Sequence, residues 1–200
     1  MRWDNLFSDL ESQLEYGLNA EEDELEAEEE RLRLGRLGLR DRLIALTAVA
    51  DRGANFSVSL LLAGGLVVSL RVTTIAKDWL AGDLDAPGAR HSSAVIPLSA
   101  IHGVSLTRRQ VRHSLQPRAV DGAAGSLTDR LGLAFLLRDL CRRRTAVEAV
   151  LPSETLFGTI DRVGRDHFDM AVHEPTTPRR ESDVRSFRIV AFNAVALIRV

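Results

Sequence analysis

Apolar positions along this chain change their period at a few points, and those points divide it. From residue 3 to about residue 31, Trp3, Phe7, Leu10 and Leu14 recur at 4-3-4 spacing, with Leu6 and Leu18 beside them. That spacing predicts an amphipathic helix. The stripe then fades. Glu21, Glu22, Asp23, Glu24, Glu26, Glu28, Glu29 and Glu30 leave only Leu25 apolar, which makes a solvated, self-repelling face. Gly35 and Gly38 break the helix. A short apolar helix follows from Leu39, with Leu43, Ile44, Leu46 and Val49.

Beyond it the pattern becomes that of strands. Residues 56–62, 66–75, 79–84, 94–98 and 101–106 are short apolar or alternating runs. They are punctuated by Gly64-Gly65, by Lys77-Asp78, by a loop over 85–90 and by Ser99-Ala100. Residues 107–125 are polar and basic (Arg108, Arg109, Arg112, Pro117, Arg118) and read as a linker. A second helix is predicted over 131–142, with Ser126 and Asp129 spaced as in a capping box. Five more strands follow over 145–151, 155–163, 167–173, 184–192 and 195–200, with a polar loop over 174–183.

The second series repeats the first. At an offset of 88, Leu39, Asp41, Arg42 and Leu43 fall on Leu127, Asp129, Arg130 and Leu131. The run from Ile75 to Leu80 falls on the run from Val163 to Phe168. Val95 to Ile101 match Ile189 to Val195 at an offset of 94, so the second loop is six residues longer. A period near 90 is too long for a solenoid, so each copy is expected to be one small domain. The predicted organisation is an N-terminal helix over 1–36, a first module over 37–106, a basic linker over 107–125 and a second module over 126–200.

One helix followed by five short, bent strands resembles the Sm-like fold, a small SH3-like barrel. The residues that carry the likeness run from Leu60 to Leu80 and from Ala149 to Met170, including Gly158 and the turns at Asp78 and Asp166. Val95 to Ile101 and Ile189 to Val200 look like that family's last two strands. The resemblance implies a mainly β chain with two tandem barrels, each a helix plus five strands. Sm-like proteins, the bacterial host-factor family among them, assemble through their fourth and fifth strands and bind RNA. A homo-oligomer, or a pairing of the two barrels within one chain, is the implied assembly. The matched turn residues are Lys77, Asp78 and Trp79 in the first copy and Arg165, Asp166, His167 and Phe168 in the second. The resemblance implies that their rings stack on bases while Lys77 and Arg165 lie near phosphate. Trp79 and Phe168 also read as core or rim residues of a barrel, and Asp78 and Asp166 as ordinary turn residues.

Composition narrows the picture. Hydrophobic content of 45% and charged content of 27% are those of a globular chain. The longest nearly apolar run, residues 58–70, is well short of the roughly 20 residues of a membrane helix, and no membrane insertion is expected. The single cysteine, Cys141, has no internal disulfide partner, which fits a cytoplasmic protein. The net charge of −2 hides a polarity: residues 1–30 carry twelve acidic side chains and one basic. The other 170 carry 16 acidic and 25 basic, a net of +9. Such asymmetry fits nucleic-acid contact or an acidic tail. Arginine supplies all the basic residues but Lys77, as a GC-rich coding sequence also would.

Candidate chemistry is sparse. No glycine-rich phosphate loop opens a helix. The five histidines show no metal-ligand spacing, and no nucleophile-base set stands out, so no catalytic residue, metal or cofactor is assigned. Two functions remain. One is non-catalytic nucleic-acid binding, RNA rather than DNA, through Lys77, Trp79, Arg108, Arg109, Arg112, Arg165, His167 and Phe168. The other is a protein-interaction adaptor that docks a partner through Trp3, Phe7, Leu10 and Leu14.

Overall fold

A computed structural model of the chain describes residue 16 and residues 22–50, 57–85, 93–116, 127–175 and 183–200. The described residues are mainly β, with four short α-helical segments among them. Residues 22–36 are helical (α1) and exposed along nearly their whole length, with Glu30 and Arg33 paired at 2.6 Å. The apolar stripe at Trp3, Phe7, Leu10 and Leu14 lies outside the described residues. Residues 1–42 and 43–200 form two compact units, and their boundary falls inside α2 (Leu39–Ala50).

Among the described residues, ten strands form one sheet. In the first half these are β1 (Ser57–Leu62), β2 (Val67–Ile75), β3 (Trp79–Leu84), β4 (Ser93–Pro97) and β5 (Ile101–Ser105). In the second they are β6 (Ala146–Val150), β7 (Thr155–Val163), β8 (His167–Val172), β9 (Ser186–Ala191) and β10 (Leu197–Arg199). The order across the sheet is β5-β1-β2-β3-β4-β10-β6-β7-β8-β9, and every neighbouring pair is antiparallel. Where the sequence separates two modules by a linker, the structure joins the two halves edge to edge through β4 and β10.

The halves are equivalent strand by strand. Leu70 pairs with Leu84 and Ile75 with Leu80, while Gly158 pairs with Val172 and Val163 with Phe168. Both pairings carry a bulge at the same place, between Val72 and Thr74 and between Ile160 and Arg162. Trp79 faces Pro97 as His167 faces Ala191. The weak sequence repeat is therefore a repeat of register, which the alternation of apolar residues pins because a slip of one residue would turn every side chain over.

Burial explains the strands. Val58, Leu60 and Leu62 alternate inward along β1. Leu43 and Leu46 of α2 are buried, as are Leu133, Leu137 and Leu140 on one face of α4 (Leu133–Arg143). The two resulting cores exchange residues across the junction. Ala76, Trp79 and Val95 of the first half lie in the cluster that holds α4, Phe168 and Ile198, while Ala196 and Leu197 of the second half lie in the cluster that holds Leu60, Leu80 and Ile96.

Two expectations need correction. The stretch read as a linker contains α3 (Arg108–Ser114), nucleated by a reciprocal capping box between Thr107 and Gln110. The second helix begins at Leu133 rather than 131, because residues 127–130 form a 3-10 turn. Ser126 lies outside the described residues.

Strand coiling leaves no room for a side chain at two glycines. A Cβ on Gly158 would sit 2.0 Å from the Ala171 carbonyl oxygen, and one on Gly82 would sit 2.1 Å from that of Arg71. Gly158→Val and Gly82→Val are each expected to destabilise the chain by about 2 kcal/mol or more. Thermal melting should then show a drop of roughly 4–8 °C or more for a protein of this size, and an unchanged melting temperature would contradict the register.

Candidate functional site

Four turns line up at one end of the sheet. Leu98 N donates to Asp78 O at 2.9 Å, and Phe192 N donates to Asp166 O at 2.8 Å. These bonds tie the β2–β3 and β7–β8 turns to the 3-10 turns Leu98–Ala100 and Phe192–Ala194, and those two 3-10 turns adjoin each other. The row brings together Lys77, Asp78, Arg165, Asp166 and His167. Lys77 and Arg165 are exposed, and His167 is half-buried.

The aromatic members do not serve as the resemblance implied. Phe168 is fully buried, and its ring lies against Phe192 with centroids 6.4 Å apart. Trp79 is 6% exposed, and its Nε1 donates to Leu131 O at 3.1 Å. Neither ring offers a free face to a base. Both follow the strand pattern inward, and the indole N–H spends its hydrogen bond on the segment that precedes α4.

The two acidic turn residues differ. Asp78 Oδ1 accepts from Leu133 N at 2.8 Å, so a residue of the first half caps the first turn of α4. The helix's own flanking residue, Gly132, supplies no side-chain cap. A carboxylate at this position also meets the positive end of the helix dipole. Asp166, its counterpart, bonds instead to His167 Nδ1 at 2.8 Å, and that hydrogen bond holds its carboxyl below the ordinary range. Arg108, Arg109 and Arg112 are exposed on α3, away from this row in the chain.

A second basic feature was not singled out from the sequence as a pocket. A cavity of about 410 Å³ opens beside the C-terminal end of α4 and the middle of β7. Cys141, Arg142, Arg144, Thr159, Ile160, Asp161 and Arg162 line it. Arg142, Arg144 and Arg162 are exposed. Arg144 ends α4 in the left-handed conformation, φ 52, while Thr145 N closes the cap onto Leu140 O at 3.1 Å. An arginine there costs about 1 kcal/mol against glycine. Asp139 pairs with Arg142 at 2.6 Å and with Arg143 at 2.7 Å. The hydrogen bond from Arg142, with the charges of Arg143 and Arg142 adding to it, lowers the Asp139 carboxyl below its ordinary range. The wall is stitched by Cys141, whose Sγ donates to Asp161 O at 3.3 Å. The run Arg142-Arg143-Arg144 was visible in the sequence. Its meeting with Arg162 was not, because it depends on α4 lying along β7.

Among the described residues, no group of three His, Cys, Asp or Glu side chains is arranged to hold a metal ion, and no helix is long and apolar enough to cross a membrane. No protein-family model, curated protein or solved structure matches the chain.

Asp78→Ala is expected to uncap α4 and cost about 1 kcal/mol, read as a fall of roughly 2–4 °C in melting temperature. Asp166→Ala, at the counterpart turn, should change the melting temperature by less than Asp78→Ala does, by roughly 1–2 °C at most, since surface changes away from such features cost within about 0.5 kcal/mol. Equal effects would contradict the division of roles between the two turns.

Proposed function

We propose that this chain is a non-catalytic nucleic-acid-binding protein built from two tandem Sm-like modules, with RNA rather than DNA as its partner. The observation that carries the reading is the open cavity walled by Arg142, Arg144 and Arg162, in the part of the chain, residues 31–200, that carries 25 basic and 16 acidic side chains. Guanidinium groups match phosphate in geometry as well as charge. With Trp79 and Phe168 buried, binding runs through the backbone of the nucleic acid rather than through stacked bases. The left-handed arginine adds support: Arg144 holds a costly conformation in which glycine would fit better, as residues at binding sites often do.

The adaptor reading keeps one observation in its favour. α1 exposes Leu25 and Leu32, at 66% and 53%, seven residues apart on one helical face. A partner helix would cover them.

Fluorescence anisotropy with a labelled single-stranded RNA separates the two. Affinity should fall steeply with salt, and Arg142→Glu with Arg144→Glu and Arg162→Glu should flatten the log–log salt slope by about 2, at roughly 0.7 per phosphate contact. Absence of salt-dependent binding would leave the adaptor reading. Arg144→Gly alone should raise the melting temperature by roughly 2–4 °C, because glycine relieves about 1 kcal/mol of backbone strain, while weakening RNA binding. Stabilisation with unchanged binding would remove Arg144 from the interface.

A further inference from the structure

Two cavities in the second half share a wall. The first is the basic cavity beside α4, of about 410 Å³. The second, of about 390 Å³, is bordered by β7, β8 and β9 and lined by Asp161, Arg162, Asp169, Phe187, Arg188 and Ile189. Asp161 and Arg162 line both. Strand pairing explains why they adjoin. Thr159 lies opposite Ala171 and Ala171 opposite Phe187, while Arg162 lies opposite Asp169 and Asp169 opposite Ile189. Residues directly opposite share a face, so two rows run side by side across the three strands. Each volume falls within the roughly 300–1,000 Å³ of small-ligand pockets.

The two cavities differ in character. In the first, Arg142, Arg144 and Arg162 against Asp161 leave a net charge of +2. Among the described residues, neither Arg144 nor Arg162 has an acidic partner. In the second, Arg162 and Arg188 balance Asp161 and Asp169, and Phe187 and Ile189 are 66% and 77% exposed. A ring that open offers its face. Thr159 is an independent sign of a ligand. It lines the first cavity and is 4% exposed, and its Oγ1 has no hydrogen-bond partner among the described residues. A buried hydroxyl without a partner is costly, and an acceptor bound beside the arginines satisfies it.

We infer that the two cavities form one site for a single nucleotide carrying a phosphate monoester. The phosphate lies in the first cavity, between Arg144 and Arg162, and accepts from the Thr159 hydroxyl. A monoester carries roughly two negative charges at neutral pH, which the charge of the cavity matches, whereas an internal phosphodiester carries a single one. The base lies in the second cavity, stacked on Phe187, and Asp169 accepts from an amino or hydroxyl group of the ligand. The inference deepens the nucleic-acid reading and rests on it for the phosphate contact, but the site is in mid-sheet, away from the turns that hold Lys77 and Arg165. A free mononucleotide and the 5′-phosphorylated end of a strand share this chemistry.

The test uses the full chain and both sources. Calorimetry compares adenosine 5′-monophosphate with inorganic phosphate and with adenosine, and the mononucleotide is expected to bind at least about tenfold more tightly than either. Anisotropy compares one single-stranded RNA with and without a 5′-phosphate, and the phosphate should tighten binding. Phe187→Ala should weaken the preferred probe roughly tenfold and Phe187→Trp should restore it. Thr159→Val, which exchanges an unpartnered hydroxyl for a methyl, should weaken it roughly tenfold without lowering the melting temperature. Preference for the mononucleotide assigns the site to a free nucleotide, and preference for the phosphorylated RNA assigns it to a strand end. If neither probe binds in a way that depends on Phe187, the inference is overturned, and salt-dependent RNA binding that survives in Phe187→Ala would leave the broader reading standing. Mononucleotide binding by a chain that holds no RNA would support the site and overturn that reading.

Discussion

Everything else in this structure depends on the antiparallel pairing of β4 with β10. It is short, with Ile198 opposite Val95 and Arg199 opposite Ala94, yet it decides where both cores end. β4 lies between the two cores, so both of its faces are buried, and Val95 enters the second core while Ile96 stays in the first. Leu197 makes the reverse crossing. A five-stranded module of this size has a high ratio of surface to volume and a correspondingly thin core. Sharing Trp79, Val95 and Leu197 across the edge gives each half apolar area it could not enclose alone. The bond from Leu133 N to Asp78 adds a polar tie between the same two halves.

The same junction divides the row of turns into residues bonded to the other half and residues left open to solvent. In the first half, Asp78 and Trp79 are committed to the segment that begins α4, so they hold the halves together. In the second half, Arg165, Asp166 and His167 carry no such helix and remain open to solvent on at least one side. Equivalent positions thus have different partners. The basic surface follows the same logic: α4 is anchored by Leu133, Leu137 and Leu140, which leaves its other face free to present Arg142 and Arg143, while its left-handed end presents Arg144.

Much of this was legible in the sequence, and the part that was not has a common cause. The strands and the 88-residue offset follow from local alternation and spacing, and Gly158 stood among the residues that carry the resemblance. What alternation cannot show is a strand buried on both faces. Trp79 and Leu80 are neighbours in β3 and point to opposite sides, so one of them reads as available for a ligand. Both are buried, in different cores, because the other half covers the second face. Phe168 sits in the core position that Leu80 holds in the first half, and only the repeat register makes that visible. The start of α4 was misplaced because its cap is a residue 55 positions upstream. α3 was missed because Thr107 and Gln110 sit in a stretch whose arginines dominate its composition. The cavity beside Arg162 needs the packing of α4 on β7, which no local pattern specifies.

Two equivalent halves fused by one edge are expected to unfold as a single cooperative sheet. Native-state hydrogen exchange on the intact chain measures this directly, since amides that open only by global unfolding report a common free energy. The slowest amides of β1 to β3 and those of β7 and β8 should exchange with the same opening free energy and the same denaturant dependence. Two plateaus, with one half opening several kcal/mol below the other, would show that the halves fold separately and that the β4–β10 pairing does not unite them.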